Sequence, residues 1–196
     1  MVTTLRGRPR SFDRDAALDK AIRLFWRQGY EATSVRDLTE ELGIGAPSLY
    51  NAFGDKQQLF AEALQVYVER YGGFIDRALA EEPTAKAAAA RVFRDGPLRY
   101  TRPDLPAGCL VVDGDAGTSN AEVAALLTEL RTSNVTAFAA KIRTDIHAHV
   151  LPADTDAVTL SRYTLTVLNG LAHAARQGAG RVQLEGVAEL ALRAWP

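Results

Sequence analysis

The stretch 33–53, TSVRDLTEELGIGAPSLYNAF, constrains the fold of this chain more than any other, because it dictates two short helices joined by a tight corner. Ser34 is placed to cap a helix whose first turn holds Asp37, a shorter version of the usual capping-box acid. Val35, Leu38 and Leu42 then recur at helical spacing. Gly43 ends that helix, since glycine accepts the left-handed conformation that closes one, and Ile44 packs back on the last turn. Proline is tolerated only near a helix start, so Pro47 puts the second helix at about Gly45 or Ala46. Leu49 and Phe53, one turn apart, face inward. Pro47, Ser48, Tyr50 and Asn51 are left on the outer face.

Small and hydrogen-bonding side chains on such a face suit base edges and phosphates. The same two helices could also form a plain hairpin inside an all-helical core. The flanks favour the first reading: Arg6-Gly7-Arg8-Pro9-Arg10 and an apolar helix lie upstream, and Gly54-Asp55-Lys56 launches another helix downstream. Through Ala17, Leu24, Phe25, Gly29, Tyr30, Thr33, Ser34, Val35, Leu38, Leu42, Gly43, Leu49, Tyr50, Phe53, Lys56 and Leu59, taken in order, the chain resembles the TetR family of bacterial transcriptional regulators. The resemblance covers about the first third. It implies an all-α fold with an N-terminal three-helix DNA-binding head containing a helix-turn-helix, and a C-terminal helical domain for ligand binding and dimerisation. The expected divisions are a basic, disordered arm over 1–12, the head over 13–55 and the second domain over 56–196.

Within the head, Ser48 and Asn51 are the candidates for base contacts, with Ala46 and Pro47 for thymine methyls. Tyr50, and by the resemblance Lys56, are candidates for phosphates, and Ser34 stands with them at a helix N-terminus. The formal charge of −1 excludes a uniformly basic nucleic-acid binder, yet four arginines against one aspartate fall in the first 14 residues. Arg6, Arg8 and Arg10 match the core of a minor-groove hook; a basic tail that only touches phosphates reads equally well.

Among 196 residues, 47% are hydrophobic, enough for a real core. Asp13 caps a helix to about Gln28, with Trp26 at the edge of the head and without a role in chemistry. Asp55 and Gln58 form a capping pair for a helix expected to run to about Ala80, roughly 37 Å long. An alanine-rich helix follows from Thr84, interrupted near its end by Gly96-Pro97. Residues 100–120 read as loop with an apolar island at Cys109 to Val112. Asp113 and Asp115 fail as a calcium loop because Thr118 and Ala124 stand where glycine and a bidentate glutamate are needed, so solvated aspartates are expected. Three further helices complete an all-α chain without β-alternation or internal repeats.

One cysteine excludes an internal disulfide, and His147, His149 and His173 lack metal-ligand spacing. No catalytic, metal or cofactor site is expected. With neither a secretion signal nor a bilayer-length apolar run, the expectation is a soluble cytoplasmic protein without membrane partner. Two function classes stand: a ligand-responsive regulator, read as a repressor released from a pseudopalindromic operator in double-stranded DNA, and an all-helical enzyme or interaction module whose hairpin is only structural. The resemblance further implies a homodimer, with Leu168, Leu171, Ala175, Val187, Leu190 and Ala191 at its seam and Gly170 and Ala174 allowing close helix approach. It also implies a cavity for a small, mostly apolar effector among Tyr67, Phe93, Tyr100, Phe138 and Tyr163, with Cys109 beside them. A redox- or electrophile-sensing role for Cys109 is the lesser reading.

Overall fold

The computed structural model describes residues 13–196, and all regular structure among them is helical. The first four helices are α1 (Arg14–Gln28), α2 (Val35–Leu42), α3 (Ala46–Phe53) and α4 (Lys56–Arg70). Asp13 accepts from the amides of Asp15 and Ala16, capping α1. Ser34 and Asp37 close a full capping box on α2, and Asp55 and Gln58 another on α4. Each box satisfies amides that a helix start otherwise leaves orphaned. Gly43 adopts the left-handed conformation, φ 69°, and Gly45 precedes α3 with Pro47 in its first turn. The sequence reading of the corner therefore holds residue by residue.

The later helices are α5 (Phe74–Glu81), α6 (Ala85–Tyr100), α7 (Leu110–Asp113), α8 (Ala121–His147), α9 (Ala157–Arg176) and α10 (Arg181–Arg193). Three expectations fail here. The helix expected to reach Ala80 is two, because the Gly72-Gly73 doublet breaks it. The Gly72 amide bonds back to the Tyr67 carbonyl at 3.0 Å, and Gly73 turns left-handed at φ 65°. Apolar periodicity resumes beyond the doublet at Phe74 and Ala78, which hid the break. Conversely, Gly96-Pro97 does not interrupt α6. Pro97 falls in its last turn, where it forgoes one helical amide bond without ending the helix, and Gly96 lets α6 approach α9 so closely that a Cβ there would meet Leu168 Cδ1 at 2.8 Å. The apolar island forms the short helix α7, with Leu110 fully buried.

Two apolar cores result. One unites α1–α4 with Leu110 of α7 and Val123 and Leu127 of α8. The other gathers α5, α6, the later part of α8, α9 and α10 around Phe93, Phe138, Ile142 and Leu168. Cys109 borders both. The aspartates expected to be solvated are instead buried or paired. Asp113 Oδ1 lies 2.8 Å from His173 Nδ1, and Asp115 takes a bidentate ion pair from Arg131 at 2.7 and 3.1 Å. Charges removed from water persist where they find such partners.

Candidate nucleic-acid interface and effector cavity

The head is rigid where a docking surface needs rigidity. Arg14 binds Glu62 through two bonds of 2.6 and 2.8 Å, donates to the Ala52 carbonyl, and lays its guanidinium 4.5 Å from the centroid of Phe53. The start of α1 is thereby tied to the end of α3 and the middle of α4. Leu49 and Phe53 anchor α3 inward, with Leu49 fully buried. Its other face is open: Pro47, Ser48 and Asn51 are exposed, Tyr50 is 49% exposed, and Ala46 is half-buried at the helix start. No acidic side chain stands on α3. Ser34 is also exposed, with its hydroxyl engaged by Asp37. Arg6, Arg8 and Arg10 lie outside the described residues.

Lys56 has an unforeseen setting. Its Nζ donates to the carbonyls of Tyr30 at 2.9 Å and Thr33 at 2.7 Å and stands 4.1 Å over the Tyr30 ring. Burial holds its pKa below the ordinary lysine range. The ammonium joins the start of α4 to the turn between α1 and α2, with at most one donor left for an outside acceptor. Sequence spacing shows none of this, since the partners are backbone oxygens 23 and 26 positions away.

A cavity of about 330 Å³ opens at the junction of the two cores. Of the six expected effector contacts, Tyr67, Tyr100 and Cys109 line it. Phe93 and Phe138 do not; they are buried in the solid second core. Tyr163 lies elsewhere, donating its hydroxyl to the Ala191 carbonyl at 2.9 Å beside a shallow groove. Spacing alone could not separate aromatic core from aromatic cavity wall. Trp26, read as peripheral, is buried, packs edge-on against Tyr67 at 4.8 Å and lines the cavity. Phe74, Asn134 and Asn169 were also missed, as were five arginines: Arg70, Arg99, Arg102, Arg131 and Arg162. The wall therefore carries more charge than a mostly apolar effector implies.

The Tyr67 hydroxyl, deep in this wall, lies 3.3 Å from Cys109 Sγ and accepts from the Leu110 amide at 3.3 Å. Burial raises the pKa values of Tyr67 and Tyr100 well above the usual phenol range and pushes the Cys109 thiol up. A thiol held neutral is a poor nucleophile. Beyond the cavity wall, α7 and α9 touch the head directly. The Tyr30 amide donates to the Gly114 carbonyl at 2.8 Å, and Arg176 donates to the Trp26 and Arg27 carbonyls at 2.9 and 2.8 Å, at the end of α1.

An open recognition face on the second helix of a rigid helix-turn-helix is joined by matching sequence. The profile described as "Bacterial regulatory proteins, tetR family" matches residues 17–63. The HTH-type transcriptional repressor ComR of Escherichia coli (strain K12) is 36% identical over 199 residues, spanning 97% of this chain and 92% of that protein. This chain belongs to the TetR family. A second relative, the HTH-type transcriptional repressor BdcR of the same strain, is 36% identical over 55% of each chain. A solved structure of a cysteine mutant of the TetR family transcriptional regulator CifR, complexed with 26bp double-strand operator DNA, superposes with a TM-score of 0.89. It is 41% identical over 96% of this chain and 100% of that one. As a TetR-family member the chain is a DNA-binding transcriptional regulator, which sets aside the enzyme or interaction module with a merely structural hairpin. Among the described residues no helix is long and apolar enough to cross a membrane.

Expected dimer contacts divide in two. Leu168, Leu171, Ala175 and Ala191 are buried within the single chain, so they pack its own core and are not free to form a seam. Val187 and Leu190 remain 49% and 62% exposed, joined on α10 by Val182 at 81%.

Proposed function

We propose that this protein is a cytoplasmic homodimeric repressor that holds a pseudopalindromic operator through α3 and releases it when a small molecule enters the cavity. The observation that carries the reading is the outer face of α3, where Ser48 and Asn51 stand free for base edges on a helix anchored by Leu49. Ala46 and Pro47 serve thymine methyls, and Tyr50, Ser34 and the remaining donor of Lys56 serve phosphates. Arg6, Arg8 and Arg10 add charge beside the operator. A two-fold dimer sets its recognition helices about 34 Å apart, one turn of duplex. The repressor named ComR and the CifR complex with operator DNA support this assignment.

Release follows from the position of the cavity. Binding changes an equilibrium only through differential affinity for two states, and a cavity between two cores is where a change in their relative placement alters the wall. Its helices α4 and α7 pack on the head, and α9 reaches it through Arg176. Fluorescence anisotropy with a labelled duplex from upstream of the protein's own gene tests the reading. A complex roughly a thousandfold tighter than with a random duplex is expected. Equal affinity for both, or no duplex binding even at low salt, would overturn it.

A further inference from the structure

The cavity carries hydrogen-bond donors that no group of the chain satisfies. Trp26 is buried, and its Nε1–H has no acceptor among the described residues. Tyr100 is a buried residue as well, and its hydroxyl makes no hydrogen bond among the described residues. An orphaned buried donor costs roughly 1–3 kcal/mol, so such groups are kept where something else supplies the acceptor.

Charge points the same way. Three of the five arginines are matched by carboxylates: Arg70 by Asp19, Arg102 by Asp104 and Arg131 by Asp115. Arg99 and Arg162 have no ion pair among the described residues. Arg99 is partly buried, and its guanidinium stands 5.0 Å from the centroid of Phe74, another wall residue. Burial first, and then the neighbouring Arg77, lower its pKa, with Asp95 offsetting only in part. A desolvated cation facing further cations gains most from an anion, because Coulomb attraction strengthens as the effective dielectric falls. Asp76 is the one acidic side chain on the wall. Aromatic rings pair along that wall: Trp26 meets Tyr67 at 4.8 Å, and Phe74 meets Tyr100 at 6.2 Å, both edge-on.

We infer that the effector is an amphipathic organic carboxylate, its aromatic or aliphatic body against Trp26, Tyr67 and Phe74 and its carboxylate paired with Arg99, with Tyr100 and Trp26 as hydrogen-bond donors. Arg162, exposed on α9 at the cavity rim, attracts the anion on entry. This rests on the effector reading above and narrows it to one chemical class. A neutral amphiphile of the same shape would fill the volume and leave the cation unpaired.

Calorimetric titration of the full chain, free of DNA, with matched acid and primary-amide pairs tests it: 4-phenylbutyrate against 4-phenylbutanamide, and decanoate against decanamide. The acids are expected to bind at least roughly tenfold tighter than their amides. Arg99→Gln should abolish the preference with little change for the amides, Arg99→Lys should restore part of it, and Tyr100→Phe should reduce it less. Equal affinity within both pairs, tighter binding of the amides, a preference that survives Arg99→Gln, or no saturable binding of either acid up to about 1 mM would each overturn the proposal. Should Arg99→Gln fail to fold, the wild-type comparison still decides. Operator binding is measured separately on protein without ligand, so failure of the repressor reading and failure of the carboxylate reading remain distinct.

Discussion

The backbone amide of Tyr30 donates to the carbonyl of Gly114 at 2.8 Å, joining the end of the first head helix to the segment that closes α7. Gly29, next in the chain, comes so near that a Cβ there would lie 3.4 Å from the carbonyl oxygens of both Asp113 and Gly114. Cys109, Val111 and Val112 of this same segment line the cavity together with Trp26 of α1, so the contact joins the cavity wall to the turn that follows α1. A Cβ at Gly114 would stand 2.4 Å from the Leu110 carbonyl and 3.2 Å from Leu127 Cδ1. Gly114→Ala should therefore displace α7, destabilise the chain by about 1–3 kcal/mol and loosen the Tyr30 bond. Hydrogen exchange at the Tyr30 amide reads the effect directly; unchanged protection there would mean the contact does not couple the parts.

Lys56→Met separates structural from phosphate roles. Removing the ammonium leaves the Thr33 carbonyl without its side-chain donor and the Tyr30 carbonyl with only the Thr33 amide at 3.3 Å, so urea unfolding should show a loss of about 1–3 kcal/mol along with weaker DNA binding. A lysine that served phosphate alone would lower the salt slope by about one and leave stability unchanged.

On α3, Asn51→Ala and Ser48→Ala should each cost about 1–3 kcal/mol on the preferred operator and relax preference at one base position. Anisotropy with single-position operator variants measures it. Uniform weakening on every sequence would reassign the residue to the phosphate backbone.

Acid should loosen the second helix. The Ser34 hydroxyl and then the Ser34 amide hold the Asp37 carboxyl below the usual range. With the folded pKa depressed, the stabilisation is present above the unfolded value, near pH 3.9, and is lost as pH falls through the folded one. Melting temperature should drop below about pH 4, and Asp37→Asn, which keeps the shape without the titrating charge, should flatten that part of the profile. A profile identical to wild type would show that the box contributes nothing to acid sensitivity.

For assembly, Val187→Asp with Leu190→Asp should give a monomeric mass in sedimentation while the helical spectrum persists, since both side chains are exposed in the single chain. Leu168→Ala should instead lower monomer stability by about 2–5 kcal/mol, its side chain being fully buried. A double variant that stays dimeric would move the seam away from α10.

Local chemistry was legible in the sequence wherever the deciding interactions span a few residues. Both capping boxes, the Gly43 corner, the start of α3 at Pro47 and the inward turn of Leu49 and Phe53 follow from rules of spacing and conformational preference that act over one helical turn. The family's head was legible for the same reason, as its pattern is carried almost wholly by such positions.

Only tertiary structure decided which apolar residues wall a cavity and which fill a core. Phe93, Phe138, Tyr67 and Tyr100 are all buried aromatics on helices, yet only the last two line the cavity, because that depends on where α4 breaks and how α7 wedges between the cores. By itself the sequence determined the capped starts of α1, α2 and α4, the corner at Gly43, the outward face of α3 and the positions of charge. It could not determine that Lys56 reaches carbonyls across the head, that Asp113 finds His173, or that Arg99 is left without a carboxylate. Pairing energy depends on separation and local dielectric, and both exist only once helices distant along the chain have packed together.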